Sequence, residues 1–124
     1  MLDERALPRG CDAMRLDVRE QGSLSIVAAS GELDATSGPD LERAVGQLLE
    51  QGRRSVLIDF ADTTFIDSAG LATLVKVLKR VRTGGGKLCL GGLQPAVRRV
   101  FALTRLDKAF EIVADEAEAV RRLS

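Results

Sequence analysis

Phe65-Ile66-Asp67-Ser68-Ala69-Gly70-Leu71 joins two strongly patterned segments, and its reading decides the fold. Before it runs Ser55-Val56-Leu57-Ile58-Asp59-Phe60, a short apolar stretch rich in strand-forming residues. After it, Leu71, Leu74, Val75, Leu78 and Val81 recur at helical spacing. The stretch is thus a turn from a buried strand into a helix. Ser68 falls in the first helical turn, beside unpaired N–H groups and the positive end of the helix dipole. A hydroxyl there faces solvent from a rigid support and can accept a phosphoryl group from another protein. Capping is the commoner reason for Asp and Ser before a helix, so the turn alone does not establish a function.

The neighbouring segments extend the pattern in both directions. Upstream, Met14 to Glu20 alternates apolar and polar residues as an edge strand does, Gln21-Gly22-Ser23 turns, and Leu24 to Ala29 pairs back as a hairpin. Gly31-Glu32-Leu33-Asp34 reads as the turn leaving that strand. Ser37 or Thr36 then caps a helix with Pro39 in its first turn, Leu41, Val45, Leu48 and Leu49 on its apolar face, and Gly52 as its stop. Downstream, the helix from Ser68 runs to Arg82 and is followed by a strand at Lys87–Leu90. A helix through Val97, Val100, Phe101 and Leu103, a strand at Phe110–Val113 and a closing helix capped by Asp115 complete the chain. Alternation of strands and helices after a hairpin predicts an α/β domain on a mixed, mostly parallel sheet of about five strands. Residues 1–13 read as a leader and 14–124 as the domain.

Ligand sites in open α/β sheets gather beyond the carboxyl ends of the strands. The turns expected there carry Glu32 and Asp34, then Asp62, Asp67 and Ser68, then Gly91 and Gly92.

Composition removes several function classes. Eighteen Lys and Arg balance eighteen Asp and Glu in 124 residues, and aromatics are 3%, so neither a basic footprint nor a base-stacking surface for nucleic acid is expected. Histidine is absent, which removes Ser-His-Asp and Cys-His nucleophiles and the commonest metal ligand. Cys11 and Cys89 stand far apart without metal-site spacing, and Cys89 alternates with strand residues as a buried inert thiol does. Gly84-Gly85-Gly86 follows a helix and opens a strand, the reverse of a phosphate loop, and reads as a helix stop. Ile66 stands where a nucleophile elbow needs its first glycine. No catalytic site, metal or cofactor is expected. With no apolar run long enough for a membrane span, the chain is expected in the cytoplasm, as a monomer or weak homodimer.

Gly31-Glu32-Leu33-Asp34, the strand Val56–Phe60 and Phe65-Ile66-Asp67-Ser68-Ala69-Gly70-Leu71, in that order and spacing, resemble the STAS domain of anti-sigma factor antagonists. The resemblance runs from Met14 to Leu123. It implies helices packed on one side of a mixed sheet. It also implies that Ser68 matches the phospho-acceptor serine and Asp34 an acid close to it. Unphosphorylated members of that family bind an anti-sigma factor, often a serine protein kinase, and free the sigma factor. The kinase phosphorylates the serine and breaks the complex, and a metal-dependent serine phosphatase restores it. The antagonist is then a substrate and partner, not an enzyme. The partner is expected over Gly31, Glu32, Asp34, Thr36, Asp67, Ser68, Ala69 and Gly70, with the small Ala69 and Gly70 leaving the rim low. STAS domains also serve as unphosphorylated scaffolds and as subunits beside membrane transporters, and in either role Ser68 is only a cap.

Overall fold

The computed structural model describes residues 14–123; the expected leader 1–13, with Cys11, lies outside them. Strands β1 (Arg15–Gln21) and β2 (Leu24–Leu33) form the antiparallel hairpin. Helix α1 (Gly38–Glu50), β3 (Ser55–Ile66), α2 (Ser68–Thr83), β4 (Lys87–Gly91) and α3 (Pro95–Leu103) follow. A 3-10 turn (Leu106–Lys108), β5 (Glu111–Val113) and α4 (Glu116–Leu123) end the domain. The sheet order is β1-β2-β3-β4-β5, and β2 to β5 are parallel. This is the α/β class expected, element for element.

Because sheet order equals chain order, every crossover steps in the same direction. Crossovers of one hand then place their helices on one face. Leu41 and Val45 of α1, Leu74 and Val77 of α2, and Val97 and Phe101 of α3 share a core with Val27, Ile58 and Leu90 of the sheet. The Phe101 ring meets Phe110 edge-on at 5.7 Å, tying α3 to the segment before β5.

Helix α4 departs from the one-sided arrangement. Its Ala119 and Leu123 pack with Leu24, Ile26, Leu57, Cys89 and Val113, the alternate residues that point to the opposite face. α4 follows the last strand and is not a crossover, so handedness places no constraint on it. The apolar far face of the central strands supplies the reason for its position. Arg19 on β1 pairs with Glu116, and Arg122 with Glu111 and Glu118, along its edges.

Candidate functional site

β2 and β3 outrun the rest of the sheet. β4 stops opposite Asp59, whereas β2 and β3 continue as a two-stranded arm to the pairs Glu32–Phe65 and Leu33–Ile66. Gly31 and Glu32 therefore sit in a strand, not in the expected turn. β3 carries an extra residue between the pairs Ala28–Asp59 and Ser30–Asp62, and another between Gly31–Thr63 and Glu32–Phe65. Each bulge breaks the ladder, and side chains fill the gaps. Thr63 Oγ1 donates to the Ala29 carbonyl at 2.8 Å, and Thr64 Oγ1 to that of Gly31 at 3.3 Å. Gly31 has φ 109, a conformation open to glycine and strained for other residues.

The arm delivers the chain to the start of α2. The Asp67 amide donates to the Leu33 carbonyl at 3.3 Å, carrying the strand pairing one residue past Ile66. Asp67 is extended and caps the helix, its carboxylate accepting the Gly70 amide at 2.8 Å. Gly70 is buried against β2: a Cβ there would lie 2.4 Å from the Leu33 carbonyl oxygen. Its smallness serves this internal contact. The low rim expected of Gly70 is not there, because Leu33 occupies the space; Ala69 is half-buried beside it. Ser68 is the first residue of α2 and is exposed. Among the described residues no hydrogen bond occupies its hydroxyl.

Asp34 turns the chain at the end of β2. Its carboxylate accepts the Thr36 amide at 2.9 Å and the Ser37 amide at 3.0 Å. These bonds, the Ser37 amide first, hold the carboxyl below its ordinary range. Ser37, read from sequence as a cap, makes no side-chain bond into α1. Its buried Oγ instead accepts the Asp34 amide at 2.9 Å and donates to the Glu32 carbonyl at 2.8 Å. Thr36 is exposed on the same turn.

The structure thus joins the ends of β2 and β3, with Glu32, Asp34, Asp67 and Ser68, through Leu33. The third expected turn is elsewhere. Gly91 pairs with Asp59, Gly92 abuts Asp59 and Ala61, and Gln94 donates to the Ala61 carbonyl at 2.7 Å, so this turn sits at the base of the arm. Asp62 lies on the exposed side of the arm itself. Sequence reasoning passed over Phe65, which is 47% exposed.

Other chemistry is sparse. Burial pushes the Cys89 thiol up to about 11, the wrong direction for a nucleophile. Among the described residues no three Cys, Asp or Glu side chains are gathered to hold a metal ion. No helix there is long and apolar enough to cross a membrane. The site can do one thing well: present a hydroxyl that is free among the described residues, at a helix start, on the end of the arm that also carries Glu32, Asp34 and Asp67.

The STAS domain family matches residues 15–119. The anti-sigma-B factor antagonist of Bacillus subtilis (strain 168) is 32% identical over 108 residues, covering 87% of this chain and 98% of that protein. An anti-sigma factor antagonist from Mycobacterium paratuberculosis has a crystal structure that is 28% identical and superposes with a TM-score of 0.81, over 90% of this chain and 95% of that one. The phosphorylated form of the Bacillus cell fate determinant SpoIIAA shares the fold, with a TM-score of 0.68 at 20% identity over 89% of this chain and 100% of that one.

Proposed function

The chain belongs to the STAS domain family, and on that premise we propose that it is an anti-sigma factor antagonist switched at Ser68. The unphosphorylated protein binds an anti-sigma factor that is a serine kinase and so frees the sigma factor. Phosphorylation of Ser68 ends the binding, and a metal-dependent serine phosphatase restores it. Residues 14–124 form the domain that does this, and 1–13 precede it as a leader. The chain is substrate and partner in these reactions and supplies no catalysis.

One observation carries the reading: the Ser68 hydroxyl is exposed and, among the described residues, unengaged, at the start of a helix clamped to the end of β2. A kinase can reach it without unfolding anything. Phosphate adds roughly two negative charges next to Asp67 and on the same end of the sheet as Asp34 and Glu32. The helix N-terminus offsets this by about 0.3–1 kcal/mol. An unpaired charge enclosed in a contact costs several kcal/mol, so repulsion and desolvation win.

Intact mass and phosphopeptide mapping, after incubation with each serine-kinase anti-sigma factor encoded in the source genome and ATP, test the site. One phosphate on Ser68 is expected. Calorimetry with a non-hydrolysable ATP analogue tests the switch: Ser68→Ala binds as wild type, and Ser68→Asp binds at least tenfold more weakly. Equal affinities for all three place Ser68 outside the interface and favour an unphosphorylated scaffold.

A further inference from the structure

We propose that Phe65 is the anchor by which the kinase grips this end of the molecule, its ring seated in an apolar recess of that partner; this rests on the function proposed above and names a residue in its interface. The chain has four phenylalanines and no other aromatic residue. Phe60, Phe101 and Phe110 are at most 5% exposed, whereas Phe65 is 47% exposed. Packing explains the first three. Phe65 lies on a strand two residues before Asp67, where the described residues leave it about half exposed.

The structure fixes that position. Phe65 follows the second bulge of β3 and pairs across the arm with Glu32. The adjacent Ile66 is buried at 4% exposure, so neighbours on the strand face opposite ways. Thr63 and Thr64 pin the bulges on which Phe65 rides. The backbone that carries the ring is therefore fixed in advance, which reduces the ordering cost of docking. Phe65 precedes Ser68 by three residues along the chain, so a partner that covers the end of the arm as well as the serine meets the ring. Large aromatic side chains at the centre of an interface dominate its binding energy. Thr64 and Asp62 on the same arm are exposed and polar, the composition expected at the edge of a contact.

The occupant follows from the serine. The protein that modifies Ser68 must hold it long enough for phosphoryl transfer, and Ala69 and Gly70 offer little to grip. Gripping Phe65 also separates recognition from chemistry. The ring contributes to holding the substrate, and the hydroxyl alone reacts.

The test uses the full chain and the kinase that phosphorylates the wild type. Phe65→Ala is expected to weaken binding roughly tenfold to a hundredfold and to raise KM for Ser68 phosphorylation by a similar factor, with kcat little changed. Phe65→Leu recovers part of both. Leu103→Ala, which removes an exposed apolar side chain at the end of α3 (77% exposed), changes neither. Thermal melts of the variants matching wild type show that folding is intact. Unchanged affinity and KM in a folded Phe65→Ala overturn the anchor and leave the Ser68 switch standing. A fall in kcat with KM unchanged overturns it too. Absence of binding and phosphorylation in the wild type removes the switch and the anchor together.

Discussion

Two serines stand at the starts of two helices, each with an aspartate close by in sequence, and they have opposite fates. Ser37 precedes α1 and is 4% exposed; its hydroxyl is spent on the Asp34 amide and the Glu32 carbonyl. Ser68 opens α2 and is exposed, and Asp67 has taken over the capping bond to Gly70. The same residue type is structural in one place and chemically available in the other. The difference lies in which residue does the capping. Where the aspartate caps, the serine beside it is released from backbone duty. Where the serine closes the turn, the aspartate is committed with it.

Moving α2 off its support has the largest effect on Ser68 and little on Ser37. In Gly70→Ala the new Cβ lies 2.4 Å from the Leu33 carbonyl oxygen and 2.9 Å from its carbonyl carbon, atoms of the strand backbone itself. The helix start has to shift, and the Asp67–Leu33 bond with it. A loss of about 1–3 kcal/mol in urea unfolding is expected, along with loss of kinase binding at temperatures where the variant is still folded. Wild-type stability would mean that the contact between α2 and β2 does not hold Ser68 in place.

Removing each hydroxyl in turn separates the structural serine from the available one. Ser37→Ala leaves the part-buried Asp34 amide and Glu32 carbonyl without their partner, which costs about 1 kcal/mol or somewhat more. Ser68→Ala removes an exposed group that bonds to nothing among the described residues, and its stability stays within about 0.5 kcal/mol of wild type. Chemical denaturation of the two variants side by side measures the gap. Equal losses would erase the distinction between the two serines.

How far the sequence reveals this arrangement varies by region. Strands that alternate regularly, and helices with a clear apolar stripe, are legible to within a residue or two. The arm is not. Its buried residues, Phe60, Thr63 and Ile66, fall three apart because two bulges reset the period of β3, so the strand reads as ending at Phe60. Gly31 belongs to that arm and looks like a turn for the same reason. The face of α4 is a different case. Its stripe says that one side is buried, not against what. The consecutive apolar run Val56-Leu57-Ile58 does carry a signal, since a strand apolar on both faces needs cover on both, and α4 is the helix that no crossover uses. Ser68, Asp34 and Asp67 are legible as a group because they lie at the ends of parallel strands. The role of Ser37 is not, because a cap and a turn-closing hydroxyl have the same spelling.

The smallest expected effect concerns Asp34, whose carboxylate holds the turn that Ser37 closes. Its native pKa lies below the model-compound value of 3.8, chiefly through the Ser37 amide bond. A depressed native pKa means that the unfolded chain takes up the proton first as pH falls. The contribution is therefore fully present above about pH 4 and is lost as pH falls through the native pKa. Asp34→Asn keeps an oxygen for the Thr36 and Ser37 amides but carries no charge. Wild type should exceed it in melting temperature by a constant margin from neutral pH down to about pH 4, and the margin should shrink in more acid solution. The carboxylate is solvent-exposed and screened, so the margin is small. A margin that persists unchanged to pH 2 would show that the charge of Asp34 contributes nothing and that the geometry of its oxygen is enough. The turn at Asp34 would then be as indifferent to charge as Ser37, and sensitivity to added charge at this end of the sheet would rest with the surface around Ser68.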